Sequence, residues 1–418
     1  MNRYNSYKDS GEKWLGEIPS HWKLIRSKYL WREKQNRSNS GKETLLSVSQ
    51  YDGVTPSKDE SRSESLEGYK VVNKNDLVIN IMLAWLGGLG VSKYEGIVSP
   101  AYCIYSQKGD NCSQYLHYLY RTPTYLAEFA RHSTGVVPSR WRMYTNDFGQ
   151  VLSLLPPLNE QQAIASYLDS ATSKIDAAIA REQKMIDLLN ERKQIIINHA
   201  VTKGLNPNAK LKDSGVDWIG EIPEGWETIP LRFVFEIRNG YTPSKSVKEY
   251  WEDGIIPWYR MEDIHKSGRI LHDSIQHITK KAIKGGGLFS AGSFILATCT
   301  ASIGEHAMLM VDSLANQRFI NLKIGEAYSS KYNPLYIYFY MFIVGKFCRH
   351  TSNSTTFQNA DINELKNFPI LLPSIEEQNS IVDRLKSRLK DLDETLDKTS
   401  KMISLLQERK QIIINDVV

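Results

Sequence analysis

The chain has 418 residues, of which 41% are hydrophobic, 24% charged and 10% aromatic, a composition that excludes a disordered or fibrous protein. Its net charge of +5, from 52 Lys and Arg against 47 Asp and Glu, permits polyanion binding without predicting it. The four cysteines, Cys103, Cys112, Cys299 and Cys348, have neither metal-ligand nor disulfide-framework spacing, which suits a reducing compartment. The start, MNRYNSYKDSGEKW, has no apolar signal core, and the longest uncharged apolar run, Leu335 to Val344, is far below the ~20 residues of a membrane span. A cytoplasmic protein, neither secreted nor membrane-spanning, is expected.

In chain order, the first marked element is KDSGEKWLGEIPSHW at 8–22. Short β-like runs and turns follow, with DLVINIM at 76–82 reading as a buried strand that leads into Gly87, Gly88 and Gly90. An aromatic helical stretch, YLHYLYRTPTYLAEF, and a polar loop, STGVVPSRWRMY at 133–144, come next. LLPPLNEQQAIASYLD at 154–169 then opens a long helical pattern ending in LLNERKQIIINHAV at 188–201.

The same order is then repeated. KDSGVDWIGEIPEGW at 212–226 shares 10 of 15 positions with the first motif at an offset of 204, and GSFILATCT at 292–300, followed by Gly304, mirrors the strand and glycine turn. LYIYFYMFIVGKF, the polar loop TSNSTTFQNADI at 351–362, LLPSIEEQNSIVDRLK at 371–386 and LLQERKQIIINDVV at 405–418 complete the second copy. The last segment matches its counterpart at 11 of 14 positions with an offset of 217, so the variable region of the second half is 13 residues longer. A period near 200 residues is too long for a solenoid and indicates a tandem duplication of domain-sized units. The expected divisions are a globular domain at 1–155, a helix at 156–203, a second globular domain at 204–372 and a second helix at 373–418.

Pro157 suits a helix start, as do Glu160, Gln161, Glu377 and Gln378 in first turns near 159 and 375. Apolar or small residues recur at Ile164, Leu168, Ala171, Ile175, Ala178, Met185, Leu189 and Ile196, interrupted by Glu182 and Arg192. The second copy supplies Ile381, Leu385, Leu392, Met402, Leu406 and Ile413, with Arg388, Thr395, Thr399 and Arg409 as its polar positions. Steps of four and three predict a heptad seam on helices of about 40 residues, roughly 60 Å long. Core packing within its own half is the ordinary explanation of such a stripe. Helices this long outreach a small domain, however, and the matching partner is the duplicate. The fold class expected is α+β: two mixed α/β domains joined by an antiparallel coiled coil with pseudo-two-fold symmetry.

The two polar loops carry unlike chemistry in the same place. At the 217 offset Arg140, Trp141 and Arg142 face Phe357, Gln358 and Asn359. Arg forks onto guanine O6 and N7, Gln and Asn fork onto adenine N6 and N7, and aromatics stack or wedge. A surface loop with one anchored aromatic is the alternative. GVTPSK at 53–58 and GYTPSK at 240–245 lie 187 apart, out of register with both repeats, and read as coincident turn chemistry.

No phosphate-cradling GxxxxGK[ST], no GxGxxG after a strand and no Asn-Pro-Pro-aromatic tetrapeptide of an amino-methyltransferase is present in the sequence. Glu191 with Lys193 and Glu408 with Lys410 form the E-x-K part of a nuclease triad, but they lie in a heptad helix rather than on strands. His265, His272 and His277 do not share a helical metal face. A chain with no catalytic or metal site of its own is expected.

The paired KDSGxxWxGEIPxxW motifs, the LPPLNEQQAIASYLD and LPSIEEQNSIVDRLK segments and the two ERKQIIIN copies together resemble the specificity subunit of a type I restriction-modification system, across essentially the whole chain. The resemblance implies that each variable region is a target recognition domain for one half of a bipartite, asymmetric site in double-stranded DNA, with the helices as spacer and docking surface. It further implies two methyltransferase subunits that use S-adenosylmethionine to methylate adenine, and restriction subunits driven by ATP, with Mg²⁺ also used by the partners rather than this chain. A bacterial or archaeal cytoplasm is implied. It places the polar loops at Arg140, Trp141 and Arg142, and at Ser354, Thr355, Phe357, Gln358 and Asn359. With Gln50, Tyr51, Tyr144, Tyr241 and Arg260, these make the candidate DNA-binding set. Half-sites about one helical turn apart, ~34 Å or ~10 bp, are expected. The competing reading is a coiled-coil scaffold that binds only proteins.

Overall fold

A computed structural model describes residues 4–57, 65–137, 140–216, 219–352 and 359–418. The fold is α+β and divides into two compact units, Met1–Gln183 with Ser400–Val418, and Lys184–Thr399. Each unit thus combines one variable region with part of each long helix.

The first unit is built on an antiparallel four-stranded sheet in the order Trp31–Lys34, Tyr102–Gln107, Leu77–Asn80, Leu89–Val91. DLVINIM does supply a strand buried on both faces, Leu77–Asn80. Two hairpin-like pairs flank it, Leu46–Ser49 with Gly53–Pro56 and Lys70–Val72 with Gly96–Val98. The aromatic stretch forms two helices, Ser113–Tyr120 and Pro123–His132, whose Tyr115, Tyr120, Tyr125 and Phe129 are fully buried. The break has a local cause. Thr122 accepts a hydrogen bond from the Tyr125 N–H, and Pro123 takes the first helical position, where its missing donor costs nothing.

The second unit has a five-stranded sheet in the order Phe235–Asn239, Phe319–Ile324, Phe294–Ala297, His306–Leu309, Ile270–Leu271, whose last pair is parallel. Its aromatic stretch has no internal proline and forms one 18-residue helix, Pro334–Thr351, capped by Asn333. Strand Phe235–Asn239 matches Trp31–Lys34 at the 204 offset, and Phe294–Ala297 matches Leu77–Asn80 at 217. The 13 additional residues therefore fall between those strands. That interval holds the strands Ile256–Tyr259 and His277–Ile278 and a helix, Met261–Ser267, and the two strands form a three-stranded sheet with Leu314–Ala315 from further along the chain. Gly53–Pro56 is a strand, whereas Gly240–Pro243 lies outside the strands, so the two TPSK segments occupy different structural places.

The repeated short motifs form hairpins, Tyr7–Asp9 with Glu17–Pro19 and Leu211–Asp213 with Glu221–Pro223. Each hairpin leads to a buried tryptophan that reaches the first turn of a long helix. The helices run Leu158–Lys203, 46 residues, and Ile375–Val417, 43 residues. In the first unit Ile164, Ala165 and Leu168 share a core with Ile414, and Asp176 pairs with Lys410 at 2.6 Å. In the second unit Ile197, Ala200 and Val201 share a core with Ile381, Val382, Leu385 and Leu389. There Lys193 meets Asp393 at 2.6 Å, and the Gly204 end lies beside Glu377, which makes the pairing antiparallel within that unit.

The seam differs from the expected one in phase. Ile164, Leu168, Ile175, Leu189, Ile381 and Leu385 are buried and Ile196, Leu392, Leu406 and Ile413 are half-buried, but Met185 and Met402 face solvent. The inward rows instead pass through Thr172, Ile186 and Lys193 on the first helix and Leu389, Leu396, Ile403 and Lys410 on the second. Every second seam position thus lies one residue later than the sequence pattern suggested. This phase replaces Arg388 by Leu389 and Thr395 by Leu396, and it brings in lysines that have acidic partners. Burial of more apolar surface favours it.

Candidate nucleic-acid interface

In the first unit the strand Leu77–Asn80 ends in a tight turn, with a short 3-10 segment Ala84–Leu86 and Gly87 at φ +88°. A side chain at Gly88 would stand 2.7 Å from Leu83 Cβ, so the turn requires glycine there. The polar loop closes on itself through paired bonds between Thr134 and Arg142, each N–H donating to the other's carbonyl at 2.9 Å. It is tied to the turn by the Met143 N–H donating to the Ile81 carbonyl at 3.0 Å, and by Trp141 packing edge-on to Trp85 with ring centroids 5.3 Å apart.

Gln50 and Tyr51 form the tip of the hairpin Leu46–Ser49 and Gly53–Pro56, and Tyr51 is 79% exposed. The Gln50 carbonyl would lie 3.4 Å from a Cβ on Gly87, so this tip abuts the glycine turn. The structure therefore links Gln50, Tyr51, Arg140, Trp141 and Arg142 through one turn. Arg140 is exposed, and half-buried Arg142 donates to the Trp141 carbonyl at 2.9 Å. Tyr144 is exposed at the start of helix Thr145–Gln150, its N–H held by Asp147. Leu83 and Leu86, which the sequence pattern did not single out, add exposed apolar surface to the turn.

In the second unit Ala360 donates its N–H to the Thr298 carbonyl at 2.7 Å. Residues 143 and 360 stand 217 apart, as do 81 and 298, so the two loops are docked on their sheets in the same way. Asn359 is exposed and bridges Cys299. Ser354, Thr355, Phe357 and Gln358 lie outside the described residues. Tyr241 and Arg260 are engaged internally. The Tyr241 hydroxyl donates to the Ala282 carbonyl and accepts from the Lys284 N–H, with Lys284 Nζ 5.1 Å from its ring. Arg260 pairs with Glu262 at 2.9 Å, which leaves less of its guanidinium for a ligand.

Among the described residues no cluster of His, Cys, Asp and Glu is arranged to hold a metal ion. Both E-x-K lysines are turned to the opposite helix, Lys193 to Asp393 and Lys410 to Asp176. Among the described residues no helix is long and apolar enough to cross a membrane. Outside the seam, the helices expose Met185, Leu188 and Ile195, and at the same repeat positions Met402, Leu405 and Ile412, each between 48% and 59% exposed.

The two units thus dock two loops of unlike sequence on their sheets in the same way. Residues 223–403 match the family model described as the type I restriction modification DNA specificity domain. The type I restriction enzyme EcoprrI specificity subunit of Escherichia coli is 41% identical over 162 residues, covering 38% of this chain and 40% of the relative. The MjaVIII specificity subunit of Methanocaldococcus jannaschii is 25% identical over 356 residues, 82% of this chain and 78% of the relative. The matches to EcoprrI and to the MjaIX subunit of the same archaeon span about two fifths of those relatives' length, 40% and 42%. A chain solved in work on complex assembly and conformational transition of the type I R-M system shares the fold, with TM-score 0.66 at 16% identity over 96% of this chain and 98% of that one. Residues 223–403 thus carry a type I restriction modification DNA specificity domain, and the chain as a whole is similar to specificity subunits of type I restriction enzymes.

Proposed function

We propose that this chain is the non-catalytic, sequence-reading subunit of a type I restriction-modification assembly, and that each unit reads one half of a bipartite, asymmetric site in double-stranded DNA. The observation that carries this reading is the equivalent docking of the two loops, Met143 on Ile81 and Ala360 on Thr298, which presents different side chains from the same frame. Arg140 and Arg142 suit guanine edges, and Asn359, with Gln358 beside it in sequence, suits adenine. Phosphate contacts by Lys and Arg would supply affinity that falls with salt.

The long helices contribute residues to both units and, in this reading, set the spacing of the half-sites. Their duplicated exposed stripe, Met185, Leu188 and Ile195 with Met402, Leu405 and Ile412, supports docking of two copies of one partner, the methyltransferase subunits. S-adenosylmethionine, ATP and Mg²⁺ belong to those partners and to the restriction subunits, all in a bacterial or archaeal cytoplasm. Selection from random duplexes at about 0.1 M salt tests the reading. Recovery of one split, asymmetric motif is expected, and binding with no sequence preference would leave the protein-only scaffold as the better account.

A further inference from the structure

Arg121 caps the end of helix Ser113–Tyr120 in the first unit, and its guanidinium lies beneath two segments that are distant in sequence. Nη1 donates to the carbonyls of Gly87 at 3.1 Å and Leu89 at 2.7 Å. Nη2 donates to the carbonyls of Gln50 at 2.9 Å and Tyr51 at 2.7 Å. One side chain thus gathers four backbone carbonyls, two from the hairpin tip and two from the glycine turn. The guanidinium is suited to this work because it is planar, always charged and presents its donors in a fixed fork.

The surroundings make the fit close. Cβ atoms on Gly53 and on Gly90 would each stand 3.1 Å from His117 Cε1, and one on Gly53 would be 3.4 Å from Arg121 Nη1. His117, one helical turn before Arg121, accepts the Val91 N–H on Nδ1 at 3.1 Å. The hairpin therefore rests on strand Leu89–Val91 with glycine facing glycine, and Arg121 bonds both the tip and the turn. The turn in turn carries Trp85, which packs on Trp141 of the polar loop.

Resting on the proposed DNA-reading role of this unit, we infer that Arg121 is a positioning residue for sequence recognition: it does not touch the bases but fixes the hairpin tip, Gln50 and Tyr51, in register with the turn that supports Trp141. Without the fork, the tip loses its two bonds to the side chain that also holds the turn, and the readout surface splits into parts that move separately. Lysine, a single flexible donor centre, cannot replace it.

The test uses the full chain in complex with its methyltransferase partner, and duplex pools in which each half-site is randomised in turn. Arg121→Gln and Arg121→Lys should both lose about tenfold or more in affinity for the wild-type motif, the scale of one or two lost charge-assisted hydrogen bonds. The loss should be confined to the half-site read by the first unit, which should be selected with less sequence information while the other half-site stays unchanged. Adding Arg121→Gln to a Gln50→Ala, Tyr51→Ala variant should cost little more, because the tip's contribution is already gone. Equal degradation of both half-sites, or full additivity with the tip variant, would overturn the positioning role. If the wild-type complex selects no split motif at all, the DNA-reading assignment itself fails, a result distinct from a wild-type motif that Arg121→Lys leaves intact.

Discussion

The indole Nε1–H of Trp226 donates to Glu377 Oε2 at 2.9 Å, and Trp22 makes the equivalent bond to Glu160 at 3.2 Å. In each unit the last tryptophan of the repeated hairpin motif thus holds an acidic residue in the first turn of a long helix, where a carboxylate also meets the positive end of the helix dipole. Trp226→Phe should keep most of the packing and remove the hydrogen bond. A loss of about 1–3 kcal/mol in urea unfolding is expected; an unchanged midpoint would show that the bond is not needed.

The phase of the helix seam makes a second prediction. Leu189 is buried and Met185, four residues earlier, is exposed. Leu189→Ala should cost about 2–4 kcal/mol in thermal or urea unfolding, whereas Met185→Ala should fall within roughly 0.5 kcal/mol. Leu188→Asp and Leu405→Asp should leave folding intact and reduce recovery of the methyltransferase partner in co-purification.

The helices were legible in sequence because proline, first-turn acids and long periodicity all pointed the same way. The phase was not, since Ile and Met alternate with charged residues closely enough to support two seams one residue apart, and Lys193 and Lys410 became inward positions only once Asp393 and Asp176 supplied partners. The loop Arg140–Arg142 could be singled out from its place in the duplication. Arg121 could not, because its meaning lies in carbonyls at 50, 51, 87 and 89 that only the folded sheet brings together. The local hydrogen bonds of Tyr241 and the ion pair of Arg260 likewise could not be read from the sequence.

A third prediction follows from His306, which is 1% exposed and packs edge-on to Phe342 with centroids 4.6 Å apart. Burial, aided by the charge of Arg269, lowers its pKa to about 3. The unfolded chain, with an ordinary histidine near 6.5, binds a proton that the folded unit refuses. Stability contributed by the neutral ring is therefore complete above about pH 6.5 and falls as pH drops toward 3. A His306→Leu variant should show a shallower loss across that window in urea unfolding; a slope equal to wild type would remove His306 from the account.

Arg140 and Arg142 give the fourth prediction. Alanine at either should cost about 1–3 kcal/mol of discrimination at one base position of one half-site. Salt titration separates roles: a phosphate contact would lower the salt slope by about one and weaken all sequences alike.

The most direct test of the whole account is a methylation map. With this chain and its methyltransferase partner expressed in a host that lacks other adenine methylation, modified adenines should fall in one split, asymmetric motif with a fixed gap, and a heptad inserted into Leu158–Lys203 should change that gap or abolish the modification. A palindromic or continuous motif, or a gap untouched by the insertion, would contradict the claim that two unlike units on paired helices read separate half-sites.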